Sequence, residues 1–122
     1  MDPEKIVREF CDTVRRGDID ALLVFFAPDA VYHNIPVEPV QGLEAIESTL
    51  QMFLSPGSEA SFELRSIATC GNTVLTERLD VITMNGKRAE LPVMGAFEVR
   101  GDGKIGAWRD YFDMQQLMAQ VT

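Results

Sequence analysis

Residues 73–100, TVLTERLDVITM-NG-KRAELPVMGAFEVR, read as two long β-strands joined at Asn85-Gly86. Asn-Gly is the strongest short hairpin signal, because both central residues of a type I′ turn need positive φ. The second arm contains Pro92, which cannot donate to a ladder, and Gly95, which weakens one. A bulge or bend is therefore expected there.

Outward from this hairpin, Phe62 to Cys70 and Lys104 to Met114 read as flanking strands, set off by Gly71-Asn72 and Gly101-Asp102-Gly103. The N-terminal half is mostly helical in pattern. Asp2-Pro3-Glu4 is a helix start, after which Ile6, Val7, Phe10, Cys11 and Val14 recur at helical spacing. Gly17 ends that helix and Asp18 caps a second, carrying Leu22, Leu23, Phe25 and Phe26 until Pro28. Arg16-Gly17-Asp18 is thus a stop followed by a cap, not an adhesion motif. Ala30 to Asn34 reads as a short strand and Ile35 to Gly42 as a loop. A third helix is predicted from Leu43 to Phe53, and Ser55-Pro56-Gly57-Ser58 as a loop. The sum is a single α+β domain over residues 1–122. A curved, mostly antiparallel mixed sheet wraps around three or four helices as a cone with a deep apolar pocket, similar to ketosteroid-isomerase-like or NTF2-like architectures.

Composition narrows the partners. The 122 residues are 46% hydrophobic and carry a formal net charge of −8. An acidic chain of this kind is poorly suited to nucleic acid or anionic membrane. No apolar run approaches the roughly 20 residues of a membrane span, and the start lacks a signal-peptide pattern. Cys11 and Cys70 read as two buried thiols in a reducing compartment, so a cytoplasmic location is expected.

The chemistry must come from few residue types. His33 is the single histidine, and no Gly-x-Ser-x-Gly elbow accompanies it. Neither a His/Cys metal cluster nor a glycine-rich phosphate loop is present, so no metal or cofactor is expected. Residues two apart on a strand share a face, which sets Arg78 beside Asp80, Asp110 between Trp108 and Phe112, and Tyr32 beside Asn34. A carboxylate between two aromatics needs a partner. Strand parity leaves open which face of 73–84 looks inward, because Leu75, Leu79 and Val81 oppose Arg78. An exposed ion pair, a dimer contact for Asp110 and a buried site all remain open at this level.

Tyr32-His33-Asn34-Ile35-Pro36, Thr76-Glu77-Arg78-Leu79-Asp80-Val81 and Trp108-Arg109-Asp110-Tyr111-Phe112-Asp113 together resemble the limonene-1,2-epoxide hydrolase family. The resemblance implies addition of water to a hydrophobic, cyclic or terpenoid epoxide in one step, giving a vicinal diol. By the same resemblance Asp110 is the general base on water, Tyr32 and Asn34 hold that water, Asp80 is the general acid, and Arg78 lies between the acids. Val14, Phe53, Ile82, Leu91, Val93, Trp108, Phe112 and Leu117 are the expected pocket lining, and a homodimer is the expected assembly. A ketosteroid-isomerase-like or polyketide-cyclase-like enzyme is the first rival. It is weakened by the lack of a tyrosine in the first helix and by Asn34 where a base would stand. A non-catalytic binding module is the second, and solvent exposure of Arg78, Asp80 and Asp110 would favour it.

Overall fold

Helix caps and turns act where the sequence puts them. In the computed structural model, which describes residues 1–54 and 57–122, Asp2 caps α1 (Pro3–Thr13) by accepting from the Lys5 amide. Ser55 and Pro56 of the expected loop lie outside the described residues. A 3-10 turn at Val14–Arg16 follows, Gly17 closes it at φ +64°, and Asp18 caps α2 (Ile19–Leu23).

From there the chain departs from expectation. Phe26 opens strand β1 (Phe26–Asn34), so α2 does not run to Pro28, which lies inside the strand. The pairing of β1 with its neighbour is irregular between Phe26 and Val31, so the missing Pro28 N–H interrupts no regular ladder. The expected loop contains a short strand, β2 (Val40–Gln41), and α3 (Leu43–Leu50) ends before Phe53.

Strands β3 (Ser61–Cys70), β4 (Thr73–Met84), β5 (Lys87–Val99) and β6 (Ile105–Tyr111) follow, with helix α4 (Met114–Val121) after them. The last strand therefore stops short of Met114. β4 and β5 pair without a break from Thr73↔Glu98 to Met84↔Lys87, and the turn has Asn85 and Gly86 at φ 55° and 74°. No bulge occurs between β4 and β5 at Pro92 or Gly95; the register shift lies between Glu98 and Val99, against β6. Because β6 joins β5 only from Met94 onward, Pro92 has β4 as its one strand neighbour.

The sheet order is β2-β1-β6-β5-β4-β3, and among the described residues only the β1–β6 pair is parallel. The sheet curls without closing. Helix α1 packs on β3 and β4, α3 on β1, and α4 on β5. Val74, Thr76, Arg78, Asp80 and Ile82 of β4 face inward and are buried, while Leu75 is exposed on the outer face. Cys11 is buried as expected; Cys70 is exposed at the end of β3. No helix among the described residues is long and apolar enough to cross a membrane.

Helix α4 is tied down by side chains at both ends. Asp113 accepts from the amides of Gln115 and Gln116, and Gln120 both donates to and accepts from the Glu90 backbone. That stretch of β5 has no β6 neighbour, so the Gln120 amide takes the place of a strand partner. Losing an N-cap costs about 1 kcal/mol. Asp113→Ala is expected to lower unfolding free energy by about that much in urea titrations, and Asp113→Ser to retain most of it.

Candidate active site

Arg78 is the centre of the inner face, with 2% of its surface exposed. Its five N–H groups all have acceptors. Nε donates to Asp80 Oδ1 at 2.9 Å, and Nη2 to Asp80 Oδ2 and to Asp110 Oδ2, each at 2.8 Å. Nη1 donates to Asp110 Oδ1 at 3.1 Å and to Thr76 Oγ1 at 3.2 Å. Above the guanidinium lies the Phe62 ring, 4.5 Å from its carbon, and Phe97 is 5.9 Å away. A charge this deeply buried persists only when paired and hydrogen-bonded.

The two acids differ in their surroundings. Asp110 receives a third donor, Trp108 Nε1, at 2.7 Å, whereas among the described residues Asp80 has Arg78 alone. Burial pushes Asp80 up from 3.8 to about 6, opposed by the charge and hydrogen bonds of Arg78 and aided by the charge of Asp110. Burial alone would lower Arg78, but the charges of Asp110 and Asp80 overcome it and hold the guanidinium protonated. With both acids ionised the trio carries one negative charge; a single proton, which burial favours on Asp80, makes it neutral.

Tyr32 and Asn34 reach the same place from β1. The parallel register sets Tyr32 beside Trp108 and Asn34 beside Asp110. The Tyr32 ring stacks on Trp108 with centroids 4.0 Å apart and planes 6° from parallel. Burial, then the charge of Asp110, keeps the Tyr32 phenol well above its ordinary range, so it remains a neutral donor. Burial also pushes the Cys11 thiol up to about 12, which removes it as a nucleophile.

Tyr32, Asn34, Asp80 and Asp110 all open onto one cavity of about 530 Å³. Phe53, Ile82, Leu91, Val93, Phe112 and Leu117, six of the residues named from the sequence, line this cavity. Val14 and Trp108 do not. Val14 is buried in the turn after α1, and Trp108 is enclosed between Tyr32 and Phe97, meeting the site only through its Nε1 donor. Arg78 stands behind the acids rather than in the wall. The sequence reading missed Phe62, which lines the cavity and covers Arg78, and the methionines 52, 84, 114 and 118. Phe62 pairs with Asp80 across β3 and β4, a link that strand register would have revealed.

A curled sheet enclosing an acid–arginine–acid trio against an apolar cavity describes a small α+β enzyme scaffold of the NTF2-like kind. Over residues 1–122 the chain matches the family described as the limonene-1,2-epoxide hydrolase catalytic domain, and it belongs to that family. It is 31% identical over 113 residues to epoxide hydrolase EphG of Mycobacterium tuberculosis, covering 91% of this chain and 73% of EphG. A solved LEH-like epoxide hydrolase from M. tuberculosis superposes with a TM-score of 0.79 at 30% identity, over 94% of this chain and 85% of that one. The epoxide hydrolase/cyclase-like enzyme SalBIII of salinomycin pyran-ring formation shares the fold, with a TM-score of 0.83 at 21% identity, over 93% and 92% of the two chains.

The raised Asp80 has a stability consequence whose sign is fixed. The folded state holds the Asp80 proton more tightly than the unfolded chain, so its contribution is full below about pH 4. It is lost as pH rises through about 6. Urea unfolding from pH 4 to 7.5 is expected to show wild type losing more stability than Asp80→Asn, by about 1–3 kcal/mol. Parallel curves for the two proteins would show that Asp80 does not titrate there.

Proposed function

We propose that this protein adds water in one step to a hydrophobic epoxide, with Asp110 as general base and Asp80 as general acid. The observation that carries this reading is one guanidinium holding two carboxyls of unequal environment at the wall of an apolar cavity. Ring opening of an epoxide needs a nucleophile deprotonated on one side and an oxygen protonated on the other. Asp110, held by three donors, takes a proton from water held also by Asn34 and Tyr32. The water oxygen attacks one ring carbon as the carbon–oxygen bond breaks with inversion. Asp80 gives its proton to the departing oxygen, and a vicinal diol results.

A cavity of about 530 Å³ falls within the usual range for small molecules. Four of the six methionines line it, giving an unbranched, adaptable wall suited to compact cyclic or terpenoid epoxides. The free thiols of Cys11 and Cys70 suit a reducing compartment and support a cytoplasmic location. Copies are expected to pair through the outer sheet face, where Leu75, Met94 and Tyr111 are exposed.

Limonene-1,2-epoxide and cyclohexene oxide are the first substrates to incubate, with diol quantified by gas chromatography. Asp110→Asn and Asp80→Asn are each expected to lower kcat by about 10²–10⁴-fold while remaining folded. The acid must be protonated, so kcat/KM should fall at higher pH, with Asp80 shifted to about 6. A single turnover in oxygen-18 water should place the label in the diol; unlabelled product from the first turnover would reveal a covalent enzyme intermediate instead. Full activity in either variant would sink the mechanism.

A further inference from the structure

Arg78 and Asp110 lie on strands that do not touch. β5 stands between β4 and β6, so the guanidinium must cross a whole strand to reach Asp110. Two strand spacings are about 10 Å. What it crosses is Gly95. The register aligns Thr76, Gly95 and Asp110 in one row across β4, β5 and β6.

A Cβ at position 95 would stand 2.7 Å from Asp110 Oδ1 and 2.9 Å from Thr76 Oγ1, and closer still to Arg78 Nη1. None of the three neighbours is a loose side chain. Thr76, Arg78 and Asp110 are all buried and mutually hydrogen-bonded. Nor does the backbone demand glycine, since Gly95 is not among the residues with positive φ. A glycine inside a regular strand weakens the strand unless something approaches it closely. Here the approaching group is the guanidinium.

Thr76 completes the arrangement. Its hydroxyl accepts from Arg78 Nη1 at 3.2 Å and donates to the Gly95 carbonyl at 3.3 Å. It thereby satisfies the one guanidinium N–H that neither acid takes and ties it to β5. Neither Thr76 nor Gly95 lines the cavity.

We propose that Gly95 and Thr76 are the positioning pair of this site: a side-chain-free window in β5, with a hydroxyl latch, that lets one arginine couple Asp80 to Asp110. The inference rests on the reading of those acids as the catalytic pair. Filling the window leaves Arg78 beside Asp80 on its own strand and detaches it from Asp110. The acids then remain in the wall without their shared orienting group.

Gly95→Ala, Thr76→Val and Thr76→Ser test this by kinetics on a turned-over epoxide and by crystal structures. Gly95→Ala is expected to lower kcat about 100-fold, the scale of a displacement near 1 Å, with KM within about threefold. Its structure should keep the fold while the Arg78–Asp110 contacts exceed about 3.5 Å. Thr76→Val should lose about tenfold in kcat, the size of one hydrogen bond, and Thr76→Ser should restore it. Wild-type kcat in Gly95→Ala with the Arg78–Asp110 contacts intact would overturn the proposal. If Gly95→Ala fails to fold, equal kcat in Thr76→Val and Thr76→Ser would do so. A wild type that turns over no epoxide removes the functional reading, yet the Gly95→Ala structure still decides whether the window positions Arg78.

Discussion

A buried guanidinium has five N–H groups to satisfy and a positive charge to balance, and much of this structure is arranged around those two demands. Two carboxylates and one threonine hydroxyl take all five donors of Arg78. Phe62 and Phe97 cover it with ring faces, which attract a cation while excluding water. Removing any acceptor would leave a buried donor or charge uncompensated, a far larger penalty than the modest gain of forming the contact. The cluster is therefore a constraint on every strand that contributes to it.

Sheet topology is what allows the constraint to be met. Inserting β6 between β1 and β5 brings Asn34 next to Asp110 on one side and Gly95 next to it on the other. Trp108, two residues before Asp110, is stacked between Tyr32 and Phe97 and aims its N–H at the acid. The same inner face thus serves as packed core around Phe10 and Trp108 and as open wall around Ile82 and Leu91. Helix α4 completes the wall with Leu117 and Met118 while its Gln120 occupies backbone groups that β6 leaves free.

This division explains what could and could not be read from the sequence. The limits of β4 and the Asn85-Gly86 turn follow from local chemistry, and the structure reproduces them. The inward face of β4 does not, because apolar residues stand on both sides and only the pairing of β3 and β5 distinguishes them. Val14 and Trp108 have the apolar character of a pocket wall, yet whether such a residue meets core or cavity depends on where the helices cover the sheet. Pro28 signals a helix stop locally but is accommodated by an irregular stretch of a parallel pair. Gly95 reads as a weak point in a strand. Its role emerges only from two registers and the reach of an arginine two strands away.

The sharing of one arginine also bears on how such a site could turn over repeatedly. On the proposed mechanism Asp110 gains a proton from water while Asp80 gives one to the epoxide oxygen, so the trio holds one proton before and after the reaction. Its net charge does not change, and the apolar surroundings impose no new penalty on the product state. A guanidinium bonded to only one acid would favour charge on that side and oppose the exchange. Donating through Nη2 to both, at 2.8 Å each, Arg78 supports ionisation of either acid with little motion. On that mechanism, coupling through a single fixed cation lets the two carboxyls exchange protonation states without large rearrangement, and its geometric condition is the absent side chain at position 95.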